Sequence, residues 1–255
     1  MATAPVNGIQ LYYEVNGPAL GTAPVIVFAH GAGGNHLSWW QQVPHFQDRY
    51  TCITFDHRGF GQSRDVTDGP GWSAYTGDLL ALLDHLGVQQ TNLVAQSMGG
   101  WTCLGLALAH PERVLKLVMA DTHGGASGPE IPARTPAPPA DRATGYHPAV
   151  AADYRRTNPT MNFLYWQISD LNGESDLRRG VAAAPTPTTA SLRGLAVPTM
   201  FIIGEEDVVI PPAVIEAAAA CIPNARVEHV AGAGHSVYFE APAAFNALVA
   251  DFLGD

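Results

Sequence analysis

Basic residues are scarce in this chain of 255 residues, which has 13 Lys and Arg but 23 Asp and Glu and a formal net charge of −10 at pH 7. This balance argues against nucleic acid or an anionic membrane surface as a partner, because both require a basic face. Cysteine is also rare, and one of the three cysteines is left over in any pairing. All three lie in or near apolar segments, so we expect buried free thiols at Cys52, Cys103 and Cys221.

Several targeting and cofactor signals are missing as well. Residues 1–8 contain neither the basic nor the apolar segment of a secretory signal, and no apolar run is long enough to span a membrane. We therefore expect a soluble, cytoplasmic protein. The ten histidines show no spacing suited to a metal, and no phosphate-binding or dinucleotide fingerprint is present, so the sequence implies no metal site and no cofactor.

Apolar residues, in contrast, are abundant at 47%, which is enough for one substantial core. An antiparallel edge hairpin is predicted around residues 9–15, beside an Asn-Gly turn signal on each side. Apolar strand-like and helix-like runs then alternate. The predicted core strands are residues 25–29, 51–55, 92–96, 114–120, 199–203 and 226–230, and the predicted helices are residues 72–86, 97–110, 213–221 and 243–252. This alternation predicts a mainly parallel α/β sheet covered by helices on both faces, with function at the carboxyl ends of the strands.

The segment Ala-Gln-Ser-Met-Gly at residues 95–99 joins a predicted strand to a predicted helix. A sharp strand-to-helix turn at a serine requires small residues on both sides, and this segment contains them. Ser97 is therefore the predicted nucleophile. Because Met98 begins a helix, its backbone N–H is a predicted donor to an oxyanion formed at that serine.

Three other segments contain partners for such a serine. The apolar run 25–29 ends in His-Gly-Ala-Gly-Gly, whose glycines allow backbone N–H groups to point at a ligand, so the N–H of Ala32 is the second predicted oxyanion donor. Asp207 follows a predicted strand and is the candidate acid that orients a histidine. His235 lies among small residues before the last predicted helix and is the candidate base.

The chain order Ser97, Asp207, His235 resembles that of the α/β-hydrolase superfamily, and the resemblance extends over nearly the whole chain. Residues 56–63 (Asp-His-Arg-Gly-Phe-Gly-Gln-Ser) and 110–114 (His-Pro-Glu-Arg-Val) match two fold markers of that family. Where the family most often has glycine, this chain has Ala95, another small residue. The resemblance implies that His30 and His57, which lie in such motifs, hold loops in place.

The resemblance also implies a domain organisation. Residues 1–121 and 197–255 are expected to form an α/β-hydrolase core, with a small cap inserted at residues 122–196, where Pro and Gly are dense. Residues 160–171 are strongly apolar and predict a lid helix, which either lines a pocket or only packs on the core. The cap is near +1 in charge and the rest of the chain near −11. Arg155-Arg156 or Arg178-Arg179 are therefore candidate contacts for a substrate carboxylate, the alternative being solvated arginines with local acidic partners.

Aromatic and histidine residues near the expected mouth and in the cap predict an apolar pocket of modest size for an acyl or ring-bearing group. These residues are His36, Trp39, Trp40, His123, Phe163 and Trp166. The tryptophans would look no different in sequence if they were buried in the core.

The resemblance implies that His235 takes the Ser97 proton, that Asp207 fixes the histidine tautomer, and that an acyl-enzyme forms. Asp121 is an alternative acid, although the Gly-x-x-Asp pattern favours Asp207. Hydrolysis of a small-molecule carboxylic ester needs nothing further. Lactone opening and carbon–carbon bond hydrolysis use the same scaffold and stay open as alternatives. Some members of the fold are ligand receptors with little turnover, a role that an intact triad argues against.

Overall fold

The structure is a computed structural model and describes residues 2–173 and 180–254. Within these residues the chain forms an eight-stranded sheet with the order β1-β2-β4-β3-β5-β6-β7-β8. The strands are β1 (Ala2–Val6), β2 (Ile9–Asn16), β3 (Val25–Ala29), β4 (Thr51–Phe55), β5 (Thr91–Gln96), β6 (Val114–Ala120), β7 (Thr199–Gly204) and β8 (Arg226–Val230). Only β1 and β2 run antiparallel to their neighbours, so the mainly parallel sheet predicted from the sequence is confirmed.

Helices occupy most of the connections between the parallel strands. They are α1 (Val43–Phe46), α2 (Tyr75–His85), α3 (Gly99–Ala109), α4 (Ala152–Thr157), α5 (Pro159–Asp170), α6 (Thr189–Arg193), α7 (Pro212–Ala219), α8 (Val237–Glu240) and α9 (Pro242–Leu253). Short 3-10 turns lie at His36–Trp39, Gly71–Ala74, Pro111–Arg113 and Val181–Ala183. No helix in the described ranges is both long and apolar enough to cross a membrane.

The edge hairpin forms where the sequence predicts it. Asn7 and Gly8 have φ angles of +42° and +84°, and positive φ at both central residues is the requirement of a type I′ turn. This turn pairs Val6 with Ile9. The hairpin extends the sheet beyond the parallel strands.

Alternate residues of the central strands lie in two separate apolar clusters. On β3, Val25 and Val27 belong to a cluster that contains residues of α2, α3 and α7, whereas Ile26 and Phe28 belong to a cluster that contains residues of α8 and α9. Because side chains of a strand alternate between its faces, the two clusters lie on opposite faces of the sheet. Helices therefore cover both faces, as predicted. The three cysteines are buried and free, which confirms that prediction too.

Between β6 and β7 the chain leaves the sheet and forms α4, α5 and α6. The predicted lid helix is α5. Its residues Met161, Leu164, Tyr165 and Ile168 pack against the second apolar cluster, whereas Phe163 is 64% exposed. Four side chains of α5 therefore pack on the core, and a lid function stays a prediction.

The candidate carboxylate contacts of the cap have local partners where the structure describes them. Arg155 donates hydrogen bonds to the carbonyl oxygens of His147 and Val150, and Arg156 donates to the Asp153 carboxylate. Arg178 and Arg179 lie outside the described residues.

Candidate active site

Ser97 lies on the sharp turn between β5 and α3 and has a φ angle of +47°. A residue other than glycine in this left-handed region is strained by roughly 1–3 kcal/mol, so its surroundings must hold it. The Ser97 carbonyl accepts a hydrogen bond of 2.8 Å from the Thr122 hydroxyl. A Cβ at Gly99 would lie 2.2 Å from the Ala29 carbonyl oxygen, so α3 can begin this close to β3 only because Gly99 has no side chain. The turn thus depends on the small residue that follows Met98.

Three side chains from the ends of β5, β7 and β8 form a hydrogen-bonded relay. The Ser97 Oγ lies 2.8 Å from His235 Nε2, and His235 Nδ1 lies 2.7 Å from Asp207 Oδ2. The other Asp207 oxygen accepts the N–H groups of Val209 and Ile210 at 2.8 and 2.9 Å. A carboxylate can only accept from the imidazole, so the network assigns the histidine proton to Nδ1 and leaves Nε2 free to accept the serine proton.

His235 is buried among acidic groups. Burial lowers the pKa of His235, but the charge and hydrogen bond of Asp207, with further contributions from Asp121 and Glu240, outweigh that effect and raise the pKa above its ordinary value. The protonated form of His235 is therefore stabilised relative to that of an ordinary histidine.

Asp121 lies near this relay but does not bond the imidazole. Its two carboxylate oxygens accept the N–H groups of Gly204 and Val237 at 2.9 and 3.1 Å. Complete burial, and then the negative charge of Asp207, raise the pKa of Asp121. The structure thus gives Asp207 the contact with His235, and Asp121 bonds the backbone at the end of β7 and the start of α8.

The two predicted oxyanion donors have no acceptor among the described residues. The N–H groups of Ala32 and Met98 appear in no hydrogen bond within that part of the chain. Ala32 lies in a tight turn closed by the Gly34 N–H on the Gly31 carbonyl at 3.0 Å, and Gly33 has a φ angle of +87° that favours glycine. Both N–H groups are free to bind an oxyanion.

Two buried histidines support this turn. His30 Nδ1 donates to the Gly31 carbonyl at 2.8 Å, and His30 Nε2 accepts the His57 N–H at 3.0 Å. Burial lowers the pKa of His30 to about 4, which keeps its ring neutral and able to accept at Nε2. The loop-holding role expected for His30 and His57 agrees with these contacts.

Two of the predicted pocket residues, Trp39 and His36, have well-defined contacts in the structure. Trp39 is fully buried in the second apolar cluster, with its ring 5.1 Å from Phe28 and 4.9 Å from Tyr238. His36 donates its backbone N–H to Asp56 at 2.7 Å and also bonds that carboxylate through Nδ1 at 2.8 Å. Both residues belong to a 3-10 turn capped by Asn35, which directs His36 toward the end of β4 and Trp39 into the core. The burial of Trp39 agrees with the core alternative that the sequence left open for the tryptophans, and a pocket role for either residue stays a prediction.

The other four predicted pocket residues have varied surroundings. Trp40 is 42% exposed and Phe163 is 64% exposed. His123 is almost completely buried against Trp101, with ring centroids 5.3 Å apart, and burial lowers its pKa to about 4. Trp166 contacts the His147 ring at 4.8 Å. A pocket role for these four residues stays a prediction.

Glu240, near the relay, was missed by the sequence analysis, as were the contacts that join the cap to the loop of His235. Glu240 accepts the N–H groups on both sides of His235, from Gly234 at 3.1 Å and Ser236 at 3.2 Å, and that of Ala151 in the cap at 2.8 Å. Burial raises the pKa of this carboxyl to about 6. The Tyr165 hydroxyl lies 2.9 Å from the Ser236 hydroxyl. The bonded pairs that reach the cap are 89 and 71 residues apart in the chain, so no local pattern reveals them.

The sequence profile of the α/β hydrolase fold matches residues 24–145 and 140–242, and the chain therefore belongs to the α/β-hydrolase family. The protein named "Putative carbamate hydrolase RutD" of Caulobacter sp. (strain K31) is 28% identical over 99% of this chain and 98% of its own length. The 2-hydroxymuconate semialdehyde hydrolase of Pseudomonas sp. (strain CF600) is 29% identical over 90% of this chain and 87% of its own length. The crystal structure of the enol-lactonase from Burkholderia xenovorans LB400 has a TM-score of 0.81 at 27% identity and covers 99% of this chain and 100% of that chain. These similarities support a hydrolase.

Proposed function

We propose that the protein is a serine hydrolase that cleaves a carboxylic ester of a small-to-medium apolar substrate through an acyl-enzyme. The observation that carries this proposal is the continuous relay from Ser97 Oγ to His235 at 2.8 Å and from His235 to Asp207 at 2.7 Å. Nucleophile, base and orienting acid stand in the order that the chemistry of a serine hydrolase requires.

In the first half of this reaction, His235 Nε2 takes the Ser97 proton as the serine oxygen attacks the carbonyl carbon. Asp207 accepts the Nδ1 hydrogen bond and stabilises the imidazolium. His235 then returns the proton to the leaving alcohol oxygen as the ester bond breaks. A water deprotonated by the same imidazole hydrolyses the acyl-enzyme and restores the Ser97 hydroxyl.

The free N–H groups of Ala32 and Met98 are the proposed donors to the tetrahedral oxyanion. Losing one such donor typically costs about 3–4 kcal/mol in activation energy. Residues 122–196 are proposed to act as a cap over this site. Phe163 and Trp166 on α5 are proposed to contact the apolar part of the substrate, since both lie on the helix that packs near the catalytic histidine loop through Tyr165.

Lactone opening is the second candidate, because an enol-lactonase superimposes on this chain over almost its full length. It needs the same relay, with the alcohol oxygen retained in the product. Carbon–carbon bond hydrolysis is a further alternative on the same triad, and similarity to a 2-hydroxymuconate semialdehyde hydrolase is what supports it.

The test is hydrolysis of p-nitrophenyl esters from acetate to laurate, together with lactones, by the wild type and by Ser97→Ala. Ser73→Ala is the matched control, because that hydroxyl donates to the Pro70 carbonyl far along the chain from the relay. We expect steady turnover that disappears only in Ser97→Ala, with the preferred chain length reporting the pocket size. Ester and lactone turnover that is absent in the wild type, or equal in wild type and Ser97→Ala, would refute the proposal.

A further inference from the structure

The C-terminal end of α5 is hydrogen-bonded to the turn that contains Ala32. The Asn172 side chain donates from Nδ2 to the Gly33 carbonyl at 2.8 Å and accepts the Gly61 N–H on Oδ1 at 2.9 Å. One residue past the same turn, Asn35 donates from its side chain to the Ile168 carbonyl at 2.8 Å. The cap is thus joined to the core by three hydrogen bonds: one on this turn at Gly33, one beside it at Asn35, and one on the loop after β4 at Gly61.

Asn172 is held in one orientation. It is only 3% exposed, and each end of its amide has a different partner, a carbonyl on one side and an N–H on the other. Rotating the amide would leave a buried donor and a buried acceptor unpaired, which is unfavourable. The side chain therefore fixes the Gly33 carbonyl relative to the loop that follows β4.

The Gly33 carbonyl belongs to the turn whose geometry sets the direction of the Ala32 N–H. Two successive glycines, Gly33 and Gly34, give this turn wide conformational freedom, and the Gly34-to-Gly31 hydrogen bond is its only internal one among the described residues. An outside contact on Gly33 removes part of that freedom. Oxyanion stabilisation depends on donors held within about 2.7–3.1 Å of the developing charge, so this restraint bears directly on the transition state.

We propose that Asn172 is a positioning residue that connects the cap to the oxyanion turn and holds the Ala32 N–H in its donor direction. The inference rests on the proposed serine hydrolase function. It assigns to the end of the cap helix a role in the chemical step as well as in covering the site.

The test compares Asn172→Asp with Asn162→Asp. The first keeps the acceptor for the Gly61 N–H and places an oxygen against the Gly33 carbonyl. The control removes the same kind of bond, because Asn162 Nδ2 donates to the Gly145 carbonyl at 3.1 Å, but within the cap. Asn172→Ala, which introduces no charge, is the second variant if Asn172→Asp does not fold.

The quantities to measure are kcat and KM on the p-nitrophenyl ester that the wild type hydrolyses fastest, and the affinity for an alkyl boronic acid, which forms a tetrahedral adduct with the serine. For Asn172→Asp or Asn172→Ala we expect kcat and boronate affinity to fall together by about 10- to 100-fold, the range for a misplaced catalytic group, with KM within about twofold. Asn162→Asp should change neither. Equal kcat in the Asn172 and Asn162 variants, or a change in KM alone, overturns the inference about Asn172. The proposed function still stands in that case if turnover by the wild type depends on Ser97. Absence of that turnover overturns both.

Discussion

Replacing Asp207 with asparagine changes a single hydrogen bond at the relay. One carboxylate oxygen of Asp207 is held by the N–H groups of Val209 and Ile210, so in Asp207→Asn the amide oxygen stays with these two donors. The amide NH2 then faces His235 Nδ1, where the carboxylate oxygen accepts at 2.7 Å in the wild type. An NH2 group can only donate, and it therefore favours the tautomer with the proton on Nε2.

That tautomer cannot accept the Ser97 proton. The expected loss in kcat is about 10⁴-fold, the size seen when a triad histidine is held in the wrong tautomer. This factor corresponds to about 5.4 kcal/mol in activation free energy. The global fold should change little, because the backbone contacts of the side chain are retained.

Asp121→Asn is the matched control, since it makes the same chemical change in a buried carboxylate that, among the described residues, bonds only the Gly204 and Val237 N–H groups. It leaves one of these N–H groups without an acceptor and should lower the free energy of unfolding by about 1–3 kcal/mol. Its kcat should stay within tenfold of the wild type. The assay is steady-state ester hydrolysis with urea unfolding of each variant. Asp207 would be refuted as the orienting acid if Asp207→Asn kept more than a tenth of the wild-type kcat, or if Asp121→Asn lost more kcat than Asp207→Asn.

Two further predictions concern stability and pH. Arg58 is 2% exposed and donates hydrogen bonds of 2.7 and 2.8 Å to the buried Asp78 carboxylate. Arg58→Met would leave that buried charge without its cation, so the free energy of unfolding, measured by urea titration, should fall by about 3–5 kcal/mol. The double variant Arg58→Met/Asp78→Leu should recover most of the lost stability. An Arg58→Met variant as stable as the wild type would show that this ion pair does not stabilise the fold. The pKa of His235 is raised, and a histidine must be neutral to act as the base, so kcat/KM should increase with pH. The profile should reach half of its plateau above about pH 6.5, the pKa of an ordinary histidine. An acid limb centred below that pH in a stopped-flow or steady-state profile is the opposing result.

The core strands illustrate what a sequence can predict. Residues 25–29, 51–55, 114–120 and 226–230 form strands with the predicted bounds. The first three are largely buried apolar runs, as expected of parallel strands inside a sheet, whereas residues 226–230 form the half-exposed edge strand. Helix starts were less accurate. The predicted helix at residues 97–110 begins at Gly99, since Ser97 has a left-handed backbone conformation that no helix contains.

In the candidate site, too, some residues could be predicted from the sequence and others could not. Ser97, Asp207 and His235 each follow a strand-like run within a few residues, and that local pattern is sufficient to propose them. The positions of His36 and Trp39 follow from the capped 3-10 turn that contains both, which turns one toward Asp56 and the other into the core. Composition alone carries no information about that direction.

The sequence by itself therefore determined the fold class and the chemical groups available for catalysis, because strand periodicity and the turn at a nucleophile are properties of neighbouring residues. Only the tertiary structure decided that Asp207 rather than Asp121 bonds His235, and that Asn172 bonds the Gly33 carbonyl. The contacts that settle these questions join residues such as Asn172 and Gly33, which are 139 positions apart. For the relay, the physical reason is the strand order, which brings the carboxyl ends of distant parallel strands to one edge of the sheet. For Asn172 it is the packing of α5 on the second apolar cluster.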